Sequence, residues 1–260
     1  MDYQRRFGGV ARLYGEVGLA AFRAAHVCVI GIGGVGSWTV EALARSGIGR
    51  LTLIDLDHVA ESNINRQLPA LESNLGKTKI GVMAERIVQI NPDCALQLTE
   101  DFITVDNLAE LIDGEVDFVV DCIDSFRIKA ALIAHSKRKK IKLVTTGGAG
   151  GQQDPTRIRK SDLSRTEQDP LLAKTRRLLR TDYGFSRNPR RRFDIPAVWS
   201  DEPVQVPQST DAACEGTPSN LNCGGFGSSV VVTASFGLVA AGLVLDRLAE
   251  QGISQTAKSY

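Results

Sequence analysis

An α/β fold with a doubly wound, mostly parallel sheet is what this sequence of 260 residues predicts, and three observations predict it. Val27-Cys28-Val29-Ile30 is a short unbroken apolar run, as a strand covered on both faces must be, and it stops at the glycine turn Gly31-Ile32-Gly33-Gly34-Val35-Gly36. Ser37 to Ala44 reads as helix, and Leu51-Thr52-Leu53-Ile54 as a second buried strand with Asp55 at its carboxyl end, which completes one strand–helix–strand unit. The alternation then continues downstream, and alternating strands and helices of these lengths imply a parallel sheet covered on both sides.

Taken in order, residues 1–24 form a polar-started helical segment, and residues 25–150 the nucleotide-binding sheet. Gly47 stops the first helix of that unit. Lys77 to Ile90 reads as helix, ended by Asn91-Pro92; Val116 to Val120 as strand; Phe126 to Lys139 as helix with Ala130, Ile133 and Ala134 on one face; and Leu143-Val144-Thr145 as strand. Past Gly147 the periods give out. Residues 151–225 carry repeated Gly, Pro and Asp with an arginine-rich stretch, and read as an irregular basic substrate-binding region, whether ordered or flexible. Residues 226–260 complete the same domain with an apolar helix from Val230 through Leu248 and a frayed polar tail from Ser254. The run Val230 to Leu245 falls short of the ~20 residues a bilayer span needs, so a buried or interface-packed helix is the reading, with peripheral membrane attachment left as an open alternative.

The balance of 31 Lys and Arg against 30 Asp and Glu leaves a net charge of +1, so any attraction to a polyanion must come from local clustering. Five cysteines, Cys28, Cys94, Cys122, Cys214 and Cys223, are an odd number in a chain large enough to stand on its core. That argues against a disulfide framework and for the reducing cytoplasm. The start, Met1-Asp2-Tyr3-Gln4-Arg5-Arg6, shows no signal-peptide pattern.

Glycines at Gly31, Gly33, Gly34 and Gly36 permit a tight turn and a close approach of backbone to phosphate, at a helix start whose free N–H groups suit an anion. Asp55, about twenty residues on, can accept from a ribose hydroxyl. Alone, this pattern fits an NAD-dependent dehydrogenase equally well. The residues that follow favour another nucleotide: Asp55-Leu56-Asp57, Asn63-Ile64-Asn65-Arg66-Gln67, Gly76-Lys77-Thr78-Lys79 and Asp121-Cys122-Ile123-Asp124 add cations for a triphosphate and a carboxylate for its magnesium. This set suits Mg-ATP. Taken singly, Arg66 and Lys79 read as solvated surface charges, Asp124 as a helix N-cap, and Asp121 as a structural residue.

These motifs, in order over roughly the first 150 residues, resemble the adenylation domain shared by ubiquitin-activating enzymes and the enzymes that activate sulfur-carrier proteins. The resemblance implies a Rossmann-like adenylation fold in which Asp55 holds the ribose, Asn63, Arg66 and Lys79 the phosphates, and Asp124 magnesium. It assigns ATP binding also to Asp57 and Gln67, and catalysis to Arg66, Lys79 and Asp124. It further implies a homodimer in which an arginine of the partner subunit, Arg6 or Arg12, reaches ATP. The paired Cys-x-x-Cys zinc motifs of the sulfur-carrier enzymes are absent, since Cys214 and Cys223 stand alone, so no zinc is expected. Cys28 and Cys122 read as core residues in strands, and Cys214, beside Glu215, as a weak candidate thiol.

Lys174-Thr175-Arg176-Arg177 through Arg180, then Arg190-Arg191-Arg192, form a basic segment interleaved with Tyr183, Phe185 and Phe193. Arg176, Arg177, Arg190, Arg191 and Arg192 are candidates for phosphates of a nucleic acid, and the aromatics for stacking on unpaired bases; a solvated charge run is the alternative. With the Arg5-Arg6-Phe7-Gly8-Gly9 start and the lack of zinc pairs, this segment resembles the branch that dehydrates threonylcarbamoyladenosine in tRNA. That branch implies tRNA as substrate and an association with a cysteine-desulfurase sulfur relay. The alternatives are adenylation of the C-terminus of a ubiquitin-like sulfur carrier, or a dehydrogenase or plain nucleotide-binding module.

Overall fold

A computed structural model describes residues 2–112, 115–205 and 226–258. Seven strands form one sheet in the order β3-β2-β1-β4-β5-β7-β6. They are β1 (His26–Ile30), β2 (Arg50–Ile54), β3 (Ala95–Thr99), β4 (Phe118–Asp121), β5 (Lys142–Thr146), β6 (Ile158–Asp162) and β7 (Pro196–Ser200). All neighbours pair in parallel except β6, which runs antiparallel to β7. The doubly wound, mostly parallel reading therefore holds.

The inner strands β1, β2 and β4 are mostly apolar because both faces are covered. Val27, Val29, Leu51, Leu53 and Val120 point into one core with α1 (Tyr3–Ala24), α2 (Gly36–Arg45), α3 (Lys79–Ile90) and α7 (Val230–Lys258). Cys28, Ile30, Ile54, Val119 and Leu143 point into the other, with α4 (Leu108–Leu111), α5 (Phe126–Lys139) and α6 (Pro170–Asp182). The period of two thus divides β1, β2, β4, β5 and β7 between two cores. Within α1, Gly15 (φ 77°) breaks the helix into two pieces.

Two expectations change. Residues past Gly147 are more regular than their periodicity predicts: β6 and β7 extend the sheet and α6 packs beside α5. Short elements hide their period, and β6 is an edge strand whose Arg159 and Lys160 face water. The expected fray at Ser254 is also not observed, because α7 continues to Lys258. Val230–Ser254, with mean hydropathy 1.7, is long and apolar enough to cross a membrane by length and composition. In this fold α7 packs on α1 and α2, where Gly237 lies so close to α2 that a Cβ would meet the Val35 carbonyl at 2.4 Å. Cys214 and Cys223 lie outside the described residues.

Asp121 ends β4 with no exposure, and Lys129 of α5, equally buried, places its Nζ 2.9 Å from Asp121 Oδ2. Thr145 of β5 donates to the same carboxylate at 2.7 Å. Removing one partner of a buried pair leaves an uncompensated charge. Lys129→Ala should therefore lower the unfolding free energy by about 3–5 kcal/mol in urea titrations, and Asp121→Asn with Lys129→Met should recover part of that loss. Equal stability of Lys129→Ala and the parent would show that the pair does not organise this edge.

Candidate functional site

The sheet order reverses between β1 and β4, and a crevice opens there at the carboxyl ends of the strands, as it must at such a switch point. Its volume is about 710 Å³. Gly31 occupies the left-handed region (φ 85°), and a Cβ on it would lie 3.0 Å from the Cys122 carbonyl. A Cβ on Gly36 would lie 1.9 Å from the Gly31 carbonyl, so only glycine closes this turn. Gly33 and Gly34 line the crevice, at the N-terminus of α2. Ser37 ties the first turn of α2 to the next loop by donating to the Gly33 carbonyl (2.7 Å) and accepting from the Leu68 N–H (3.2 Å).

Asp55 projects from the end of β2 and accepts from the N–H groups of Ile32 and Asp57. Burial raises its pKa above the usual carboxylate value, against the opposing pull of the Lys79 ammonium. Lys79 is not the solvated helix residue that a lone lysine suggests: it is 4% exposed and its Nζ sits 2.8 Å from Asp57 Oδ2. Asn63 is buried and turns its Oδ1 to the Ala60 N–H (3.1 Å), so it shapes its own loop while lining the crevice. Arg66 donates to the Ser62 carbonyl and the Asn65 amide oxygen, and its carbonyl accepts from the Trp38 indole. Gln67 is buried, and its Oε1 has no hydrogen-bond partner among the described residues. A buried orphan acceptor in a polar crevice is the kind of group a ligand satisfies.

Asp124 lines the same crevice, in the loop that Asp121 anchors by accepting from the Ile123 N–H at 3.1 Å. The N-cap position of α5 is Ser125, and Asp124 immediately precedes it. Cys122 is also displaced from its expected strand place: it follows β4 and borders the crevice, where burial pushes its thiol up to about 12. A thiol held so far from thiolate does not serve as a nucleophile.

The structure thus brings Gly31, Gly33, Gly34, Asp55, Asp57, Asn63, Arg66, Gln67, Lys79 and Asp124 to one crevice. Arg6 and Arg12 are on α1, away from it. Arg6 donates to the carbonyls of Gln89 (2.9 Å) and Ile90 (2.7 Å) at the end of α3, whereas Arg12 is exposed and makes no hydrogen bond or ion pair among the described residues. Sequence reading missed Phe102 beyond β3 and Leu171 of α6, both on the crevice wall, and it missed Asp169. Asp169 caps α6 by accepting from Leu172 N–H, and its other oxygen takes the Gly148 N–H. The signal was legible, because Asp before Pro at a helix start is a cap followed by the favoured first residue.

The basic segment divides. Arg177, Arg190, Arg191 and Arg192 are exposed, with Arg192 3.8 Å from Asp162. Arg176 turns inward to the Thr166 hydroxyl and is half-buried. The aromatics do not wait for bases: Phe193 is 1% exposed and meets Phe185 edge-on at 5.0 Å, and Tyr183 packs on the same cluster. Burying them removes more apolar area from water than display would.

Comparison with known proteins adds the following. The model of the ThiF family matches residues 3–258. A tRNA threonylcarbamoyladenosine dehydratase of Haemophilus influenzae is 53% identical over 95% of this chain and 94% of its own. One from Escherichia coli is 50% identical over 97% of each. The crystal structure of an E. coli tRNA N6-threonylcarbamoyladenosine dehydratase in complex with ATP superposes with a TM-score of 0.89, at 48% identity, over 98% of both chains.

The raised pKa of Asp55 has a measurable consequence. Its carboxylate form is lost as pH falls through a value above the ordinary one, so if this carboxylate accepts from a ribose hydroxyl, ATP affinity should begin to weaken sooner on acidification than a normal carboxylate would allow. Calorimetric titration of ATP against pH, with Asp55→Asn as reference, reads this directly. A parallel pH profile for parent and variant would remove Asp55 from nucleotide binding.

Proposed function

The chain belongs to the ThiF family, and from that premise we infer that it is an ATP-dependent enzyme that dehydrates threonylcarbamoyladenosine in tRNA to its cyclic form. The observation that carries this is near-full-length identity to dehydratases, together with a crevice whose lining suits a nucleoside triphosphate. Activation of a ubiquitin-like sulfur carrier is not favoured, because the dehydratases match nearly the whole chain.

ATP adenylates the free carboxylate of the threonylcarbamoyl group and pyrophosphate leaves; an internal nucleophile of the same group then displaces AMP and closes the ring, with net loss of water. The substrate brings its own nucleophile, so the protein's work is positioning and charge neutralisation. Asp55 takes the ribose. Arg66, Lys79 and Asn63 face the phosphates, with the Asp57–Lys79 pair holding the ammonium in place. Gln67 offers its orphan acceptor to the bound nucleotide. Asp124, with the phosphate oxygens, would hold magnesium, and one carboxylate is what a phosphate-bound magnesium needs from protein. The ion supplies neutralisation of triphosphate charge when bound.

The protein works in the cytoplasm as a homodimer. Exposed Val230, Val231 and Leu238 on α7 and Leu13 on α1 supply apolar interface, and Arg12, unlike the committed Arg6, is the arginine that reaches the partner's ATP. Arg177 and Arg190 to Arg192 contact tRNA phosphates. A sulfur relay of the cysteine-desulfurase kind is a further partner, and peripheral membrane contact is assigned no role.

Asp124→Ala and Arg66→Ala should each abolish ATP–pyrophosphate exchange in the presence of modified tRNA while leaving the circular-dichroism spectrum and melting temperature near the parent's. Neither side chain packs in the core, and each loss removes several kcal/mol of charge stabilisation, on the order of a thousandfold in rate. Near-normal exchange in either variant at saturating ATP would dismiss the crevice assignment.

A further inference from the structure

Helices α5 and α6 lie side by side, each starting at the crevice and ending about 20 Å away, near the amino ends of β4 and β5. At the near end, Lys174 lies over the Phe126 ring at 5.8 Å, and Arg127 over the same ring at 5.4 Å. At the far end two adjoining concavities of about 650 and 640 Å³ share Lys137. They are lined by seven Lys and Arg side chains, among them Arg138, Lys140, Lys142 and Arg191, against three carboxylates, Asp182, Asp194 and Glu250. An excess of four positive charges therefore gathers on one face of a chain whose total is only +1. Part of it is spoken for: Lys137 donates to the Phe193 carbonyl, Arg192 approaches Asp162, and Arg247 pairs with Glu250 at 2.9 Å. Arg138, Lys140, Lys142 and Arg191 are exposed, and none forms an ion pair among the described residues.

Like charges this close repel one another and cost stability, so their grouping calls for a polyanion. The face is concave, and none of the exposed large hydrophobic residues lies on α5 or α6, which suits a phosphate backbone better than a lipid surface. We propose that the outer face of α5 and α6 is the track along which the tRNA backbone runs from the crevice, with Arg138, Lys140 and Lys142 as its far anchor. This rests on the tRNA reading above and names a docking surface for it. The anchor engages phosphates remote from the reacting adenosine, so it contributes binding and leaves the chemical step alone.

The test is the triple variant Arg138→Gln, Lys140→Asn, Lys142→Gln in the full-length protein. Asn is chosen because Lys140 holds a left-handed conformation (φ 58°). Expected are tRNA binding weakened about tenfold or more at low salt, a log–log salt slope smaller by about 2–3, a raised KM for modified tRNA with kcat unchanged, and unaltered ATP affinity. Equal tRNA affinity of parent and variant across the salt titration overturns the track while leaving the dehydratase reading in place. Failure of the parent itself to dehydrate modified tRNA overturns that reading and the track with it. Loss of binding to phosphatidylglycerol vesicles with tRNA binding intact overturns the track in favour of a membrane surface.

Discussion

The buried pair Asp121–Lys129 is the constraint on which the rest of the crevice depends. Both groups are wholly out of water, so their ionisation is tolerable only because each is answered. Asp121 receives the Lys129 ammonium, the Thr145 hydroxyl and the Ile123 N–H, while its carbonyl takes the Thr146 hydroxyl. One carboxylate thus binds the end of β4 to α5, to β5 and to the loop carrying Asp124. The arrangement fixes where α5 begins, and with it the direction of the α5–α6 layer.

On the other side of the crevice the constraint is steric. Gly36 lets the start of α2 approach the turn after β1 so closely that a Cβ would lie 1.9 Å from the Gly31 carbonyl, and Gly31 in turn packs against the Cys122 carbonyl beyond β4. That closeness brings the N-terminus of α2 to the mouth of the sheet, where Ser37 and Trp38 then hold the loop from Asn63 to Leu68. Asn63, Arg66 and Gln67, from a distant stretch of chain, are so delivered to the same opening. Lys79 follows the same logic: burial makes its charge costly alone, and Asp57 makes it affordable and directs it.

Past Gly147 the chain completes the fold rather than departing from it. Asp169 reaches back from the start of α6 to the Gly148 N–H, and a Cβ on Gly147 would lie 1.8 Å from its carboxylate. Buried Phe193 and half-buried Phe185 then fasten the arginine-rich stretch to α6, which leaves the guanidinium groups of Arg190 to Arg192 on the outside.

The residues gathered at the crevice were legible in the sequence because most of them stand near where a strand ends or a helix begins, and apolar runs and glycines mark such places locally. Gly31 to Gly36, Asp55 and Asp124 announce themselves in this way. The regular course of 155–200 was not legible, since β6 and β7 are short, one lies at an edge, and their pairing joins residues some forty positions apart. Nor could spacing tell that Phe193 is core, that Arg176 turns inward, or that Arg138 and Lys142 share a face with Arg191. Local pattern determined the strands, turns and crevice-facing positions; which charges stayed in water and which side chains left it was decided by packing, which is a property of the assembled chain and not of any segment.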